Sequence, residues 1–408
     1  TSNYWFSIVA DAILYIVPFS MVSAIPSLWS ILLKFFPELP DLSPLSQYSF
    51  GLIGLFVVFI IPYNCLVKEE KKDRSLIAGF TGIGTFMLCM NITKTDGGSL
   101  VDLGKFGAGG MFTAMFVGLI VAVIYRCLAR FSFFGEDSSL PDFITVWFDT
   151  LIPITLILII GWLFTFVWEI SIFNIIYEIF KPFISIGQSF WGFVLLNFIG
   201  YTFLYTFGIS TWVIYPITSA ICLQGIGDNM ALVAAGNAPI NINTGEVANL
   251  FALGGGGCTL ALAIMILFLA KSKKLKVIGK STIVPSLCNI NEPLVFGAPI
   301  AFNPLLMVPM WIVGFIIPVV TYLALSSGLV PIPAEPFNFW YIPSPIVGYM
   351  VTKSFAGVLL VLVNFAISWV IYYPFFKVYD KQVCDEEKAE EEKKARLAAK
   401  KATRKEAV

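Results

Sequence analysis

The feature that most restricts this chain is a succession of apolar runs, each about as long as a bilayer is thick. A helix rises about 1.5 Å per residue, so roughly twenty apolar residues cross the hydrocarbon core. Runs of that length lie at residues 8–33, 48–67, 75–92, 107–128, 146–168, 191–214, 248–270, 305–325 and 356–373, with shorter or broken segments between several of them. The expected fold class is all-α: a polytopic membrane protein of about ten transmembrane helices with re-entrant hairpins, in two domains. Composition supports this, because 58% of residues are apolar and 13% charged, against about a quarter charged in an average soluble domain.

Lys/Arg and Asp/Glu number 26 each, so net charge says nothing of partners. Placement says more, because loops rich in Lys and Arg stay on the cytoplasmic side. Residues 68–74, Arg126, Arg130, residues 271–280 and the tail after residue 380 hold most of the basic side chains, and all are expected inside. Residues 38–47 and 93–105 are less basic and are expected outside. Residues 8–26 lack the basic flank and small-residue cleavage site of a signal peptide and read as the first span.

The polar residues divide the chain. Residues 1–169 have few polar side chains in their apolar runs and read as a scaffold. Residues 170–190, with Glu178 and Lys181, are amphipathic and read as a connector. Residues 191–380 collect Glu246, Asn249, the Gly254–Gly257 run, Glu292 and a proline-rich loop at 331–345, and read as the ligand domain. Residues 381–408 form a charged cytoplasmic tail, acidic first and basic later, an order that suits a helix dipole. It reads as a solvated helix or a docking element for a partner.

Several chemistries are excluded or disfavoured. The chain has no histidine, which removes Ser-His-Asp triads, histidine-ligated zinc or haem, and a phosphohistidine carrier. Its seven cysteines show no Cys-x-x-Cys spacing and read as small buried hydrophobes. No metal, cofactor or nucleic acid is expected.

Residues 281–304, STIVPSLCNINEPLVFGAPIAFNP, place a carboxylate, Glu292, inside an apolar run. Pro285, Asn289, Asn291, Pro293, Gly297, Pro299, Asn303 and Pro304 prevent one continuous helix. Irregular backbone at membrane depth is tolerated only where protein buries it or a water-filled cavity meets it, and a carboxylate there needs a partner or a ligand. A polar-ligand site and a solvated turn at the water interface both fit these residue types. Broken hydrophobic segments of this kind also mark midplane transporter sites. The Gly254–Gly257 run lacks the Gly-Lys-Ser/Thr of a phosphate loop and reads as close backbone packing in a re-entrant turn. Asp228-Asn229, Asn237 and residues 241–244 are polar enough to read as loop; Glu246 reads as an acid in the first turn of a helix, and Trp340 as interface belt or packing, with a sugar platform as the second reading.

Asn291-Glu292-Pro293, then Phe296-Gly297-x-Pro299 and Asn303-Pro304, resembles the signature of membrane-embedded IIC subunits of the bacterial sugar phosphotransferase system, lactose/cellobiose/diacetylchitobiose branch. Residues 253–260 (LGGGGCTL) resemble that branch's glycine-rich turn, and residues 372–382 (YYPFFKVYDKQ) its last span and exit. Residues 140–153 and 103–125 are similar in the expected order.

The resemblance implies sugar binding in the C-terminal domain, an N-terminal dimerisation domain and a homodimer. It places the chain in the bacterial cell membrane, presenting an oligosaccharide of disaccharide class to a phospho-IIB protein that is itself served by IIA. The transport subunit would hold no self-contained catalytic site. Glu292 would lie beside the hydroxyl that becomes phosphorylated and could take its proton, with Asn291 beside it. Where the family has Phe-Gly-Ile-His-Gly, this chain has Phe207-Gly208-Ile209-Ser210-Thr211, so Ser210 and Thr211 stand at the His-Gly positions. Ser210 also fits a hydroxyl bonded back to its own helix. The competing functions are an ion- or proton-coupled sugar transporter with Glu292 as protonation site, and a non-transporting receptor or regulator.

Overall fold

A computed structural model describes the chain except residues 1–3, 34–35, 37, 91–92, 96–97, 101, 130–131, 135–140, 210, 212–213, 299 and 407–408. The described chain is helical apart from one short antiparallel hairpin, Thr93–Thr95 with Gly98–Leu100, in the segment expected outside. Six described helices are long and apolar enough to cross a membrane: Pro44–Lys68, Ala108–Leu128, Phe143–Val167, Ile217–Ala234, Pro304–Ser326 and Phe355–Lys393. A further pair of helices, Ile172–Gln188 and Phe190–Thr206, is long and apolar enough only when taken together.

The chain forms two compact units interleaved along the sequence. The first comprises Thr1–Ser189, Trp212–Glu246 and Ile332–Asn338; the second comprises Phe190–Thr211, Val247–Pro331 and Phe339–Val408.

In the first unit, helices approach closely where glycine removes the side chain. A Cβ on Gly82 would collide with the Val58 carbonyl, and one on Gly79 with the Phe59 ring. Small residues let membrane helices meet and gain van der Waals contact, because lipid supplies no hydrophobic drive between them. Ile53, Val57, Ile61, Phe86, Met111, Ala114 and Val121 form the centre of this core. Charges gather at one set of helix ends. Arg74 pairs with buried Asp149 at 2.6 Å, and Asp149 also accepts the Phe133 N–H at 2.8 Å. Glu69 accepts from Arg126 at 2.8 Å and from the Tyr4 hydroxyl at 2.6 Å.

One sequence expectation changes here, while Glu246 sits in the first turn of a short helix as expected. Residues around Asp228 and Asn229 lie in a helix, Tyr215–Ala234, rather than a loop. Their polar groups are satisfied: Gln224 donates to Asp228 at 2.8 Å, and Asn229 accepts the Ile240 and Asn241 N–H groups while donating to the Asn241 and Pro333 carbonyls. The Phe337 N–H donates to Glu246 at 2.9 Å. These bonds tie residues 332–338 into the first unit.

In the second unit, the run at 248–270 is not one span. Gly245–Ala248 is a short turn of helix, residues 249–259 are irregular, and Leu260–Leu269 is the helical remainder. The run at 191–214 also breaks. It is α-helical over Phe190–Phe198, widens to a π-turn over Ile199–Phe203, and ends after Leu204–Thr206. Asn364 donates to the Leu250 carbonyl and to Thr321, both at 3.0 Å, which satisfies the irregular backbone from the long helix Phe355–Glu406. Farther along that helix, Asp380 accepts the Lys271 and Ser272 N–H groups, and Glu387 accepts those of Lys273 and Lys274 with the Ser272 hydroxyl. The tail thus caps the helix Lys273–Leu287 with carboxylates, which suits the positive end of a helix dipole.

Candidate functional site

The helix Lys273–Leu287 ends in a Schellman turn. Asn289 is left-handed at φ 60°, its N–H reaches the Ser286 carbonyl at 3.1 Å, and the Ile290 N–H reaches the Pro285 carbonyl at 2.9 Å. Asparagine tolerates that conformation better than other side chains with a Cβ. The turn leaves Asn289 and Asn291 facing the glycine run. Asn289 accepts the Gly254 N–H at 2.9 Å and the Ser344 hydroxyl at 3.2 Å, and donates to the Trp340 carbonyl at 2.6 Å and the Ile342 carbonyl at 3.2 Å. Asn291, 4% exposed, donates to the Gly256 carbonyl at 2.9 Å and to Thr259 at 3.3 Å.

The glycine run is the cradle for these two asparagines. A Cβ on Gly255 would lie 2.5 Å from the Asn291 amide carbon, and Gly255 sits at φ +96°, where L side chains are strained. Two carbonyls of the run are also bonded: Thr259 donates to that of Gly254, and Tyr372, from the helix Phe355–Glu406, to that of Gly257, each at 2.8 Å. No carbonyl-free nest of the phosphate-loop type results, and close packing is what the glycines achieve.

Asn291 then starts the short helix Glu292–Gly297, with Pro293 in its first turn. Pro at that position costs nothing, because the first helical N–H groups have no partner inside the helix anyway. Glu292 is the first helical residue, where a carboxylate is favoured by the dipole. Leu294 and Val295 are buried, while Glu292 is exposed and makes no hydrogen bond or ion pair among the described residues. Its acceptor capacity is therefore open.

The break at residues 204–208 lies against this helix. The Phe302 N–H, just after it, donates to the Thr206 carbonyl at 3.0 Å, and Trp311 donates to the Thr206 hydroxyl at 3.0 Å. Tyr205 meets Phe296 edge-on with centroids 6.1 Å apart. Of the residues singled out from sequence, Asn291 and Glu292 are adjacent on this clamp. Ser210 lies outside the described residues. Thr211 is half-buried and makes no side-chain hydrogen bond among them. Asn289 and Tyr205 were not singled out as site residues. A left-handed Asn after a helix is a readable turn signal, but nothing local says which glycine it will clasp. Trp340 has its backbone carbonyl pinned by Asn289 and is 46% exposed as a residue. Among the described residues, no three His, Cys, Asp or Glu side chains gather as a metal site.

Comparison with known proteins places this geometry in context. Residues 8–314 match the family described as phosphotransferase system, EIIC. The chain is 31% identical over 365 residues to the cellobiose-specific EIIC component of Geobacillus stearothermophilus, covering 84% of this chain and 80% of that protein. It is 28% identical over 358 residues to the lichenan permease IIC component of Bacillus subtilis strain 168, covering 83% and 78%. Its fold is similar to the crystal structure of ChbC, the IIC component of the N,N'-diacetylchitobiose-specific phosphotransferase system, with TM-score 0.85, 29% identity, and 94% and 95% of the two chains covered.

Proposed function

This chain belongs to the phosphotransferase system EIIC family and is a multi-pass membrane component that translocates a sugar in company with a IIB protein; on that premise we propose that its sugar is a disaccharide and that Glu292 holds it. The observation that carries the assignment is the exposed, unbonded Glu292 carboxylate on a backbone that Asn289 and Asn291 fasten to the glycine run. A carboxylate only accepts, sugar hydroxyls donate, and a charge-assisted bond is about twice as strong as a neutral one. Asn291 acts from beneath as a positioning residue. Ser210 and Thr211 complete the polar lining in this reading, which rests on their place in the sequence.

Glu292 takes the hydroxyl proton as the sugar oxygen attacks phosphorus; an O–P bond forms and the S–P bond of a phosphocysteine on IIB breaks. IIA recharges IIB. In this reading residues 1–169 serve as scaffold and dimer interface and residues 170–190 as connector, and the moving sugar-binding part is residues 191–211, 247–331 and 339–380, without residues 212–246 and 332–338, which group with the first unit. The tail is cytoplasmic, in keeping with the lysines of residues 271–280 that it caps. The relatives' names motivate the substrate class: cellobiose for one and N,N'-diacetylchitobiose for the solved structure.

Calorimetry on the purified protein with cellobiose, N,N'-diacetylchitobiose, lactose and their monosaccharides tests this. One disaccharide should bind wild type, and Glu292→Gln should lose it. Binding of monosaccharides alone, or binding unchanged by Glu292→Gln, would overturn the assignment.

A further inference from the structure

We infer that Tyr205 is a second sugar-binding residue, whose hydroxyl works opposite Glu292 and sets which hydroxyl pattern the site accepts. The inference rests on Glu292 being the sugar acceptor. Tyr205 is 4% exposed, and its Oη is fully buried with no hydrogen-bond partner among the described residues. Two other enclosed tyrosines are paired: Tyr372 with the Gly257 carbonyl and Tyr125 with Thr81, each at 2.8 Å. A buried hydroxyl left without a partner is costly, and one that persists in a folded protein asks for an explanation.

The place of Tyr205 supplies one. Its ring stands edge-on to Phe296, four residues after Glu292 and so on the same face of the short helix Glu292–Gly297. Tyr205 and Glu292 are close enough to interact electrostatically, yet no hydrogen bond joins them. The backbone beneath Tyr205 is held on two sides, by Phe302 to the Thr206 carbonyl and by Trp311 to the Thr206 side chain. The backbone that carries Tyr205 is therefore fixed beside the helix Glu292–Gly297.

The two groups are chemically complementary toward a third. Glu292 only accepts, whereas a phenol donates and accepts. A polyol hydroxyl can donate to Glu292 while accepting from Tyr205, or a vicinal pair can divide the two bonds. Either arrangement satisfies both protein groups. The ligand chemistry this fits is a neutral sugar hydroxyl, which can donate to Glu292 and accept from Tyr205 at once.

Tyr205→Phe removes one oxygen and keeps the ring contact with Phe296. The test uses the full-length protein and the disaccharide that wild type binds, followed by the monodeoxy series of that sugar. Tyr205→Phe should bind about tenfold more weakly, with an unchanged thermal midpoint. Wild type should be penalised by removal of the sugar hydroxyl that meets Tyr205, and Tyr205→Phe should be indifferent to that same removal. Unchanged affinity overturns the inference. So does weaker binding with the deoxy profile of wild type, which would mean that Tyr205 only shapes the site. Glu292→Gln in the same series separates the two readings: if it binds like wild type, the Glu292 assignment fails and this inference falls with it, whereas loss in Glu292→Gln alone sinks only the role of Tyr205.

Discussion

Residues 241–246 (Asn-Ile-Asn-Thr-Gly-Glu) and 289–292 (Asn-Ile-Asn-Glu) both run through the same tripeptide into a short helix whose first turn holds a glutamate. In both, the asparagines stitch irregular backbone to a neighbouring element: Asn243 donates to the Gly187 carbonyl, and Asn291 to the Gly256 carbonyl. The carboxylates differ. Glu246 is 5% exposed and accepts the Phe337 N–H from a segment that returns ninety residues later. It borders a cavity of about 80 Å³ walled largely by Ile13, Ile16, Phe50, Ile226 and Phe337, well below the roughly 300 Å³ at which small-ligand pockets begin. Glu292 is exposed and makes no hydrogen bond or ion pair among the described residues. The two acids differ in whether a returning segment of chain reaches them: Phe337 reaches Glu246, and no described residue bonds Glu292.

The largest effect should come from Gly255→Ala, which attacks the cradle under the second acid. Its methyl meets the Asn291 amide in a left-handed backbone position, and strain plus overpacking should cost about 3 kcal/mol. Thermal unfolding in detergent would register the loss, and sugar affinity should fall with it because Asn291 positions Glu292. Stability retained with affinity intact would show that the cradle is not needed.

Glu292→Gln should separate binding from stability. An exposed residue with no protein partner leaves the thermal midpoint within a degree or two. Loss of a charge-assisted bond worth about 1.5–3 kcal/mol should weaken sugar binding about ten- to a hundredfold. Glu246→Gln should show the reverse. Weakening the acceptor of the buried Phe337 N–H should cost about 1–2 kcal/mol of stability, while calorimetric affinity stays within about twofold. If Glu246→Gln abolishes binding at unchanged stability, the contrast between the two acids is broken. The smallest effect belongs to the tail: Glu387→Gln weakens the cap on Lys273–Leu287 and should lower stability by a few tenths of a kcal/mol, a shift that high salt should reduce further.

Much of this was legible from residue types. The long apolar runs require helices because lipid offers backbone groups no partner. Pro285, Asn289 and Pro293 within an apolar stretch require a break, and the break occurs with Asn289 in the left-handed turn that its side chain tolerates. Other features misled. The run at 248–270 has the length of a span, yet Gly254, Gly255 and Gly257 take positive φ and fold it back. Asp228 and Asn229 look like loop, but Gln224 and the backbone of residues 240–241 satisfy them inside a helix. Hydropathy measures transfer cost and cannot see the partner that cancels it.

By itself, then, the sequence determined the membrane class, the exclusion of histidine chemistry, the places where helices must break, and the pair Asn291-Glu292 as a polar point in an apolar run. Tertiary structure alone decided that Asn289 clasps Gly254 and Trp340, that residues 332–338 fold onto Glu246, and that Tyr205 stands beside the Glu292 helix with a hydroxyl that no described residue bonds. The physical reason is the range of the interactions. Backbone satisfaction and glycine, proline or asparagine geometry act within a few residues and can be read locally, whereas the partners of a buried polar group come from segments thirty to ninety residues away and exist only once the chain has folded.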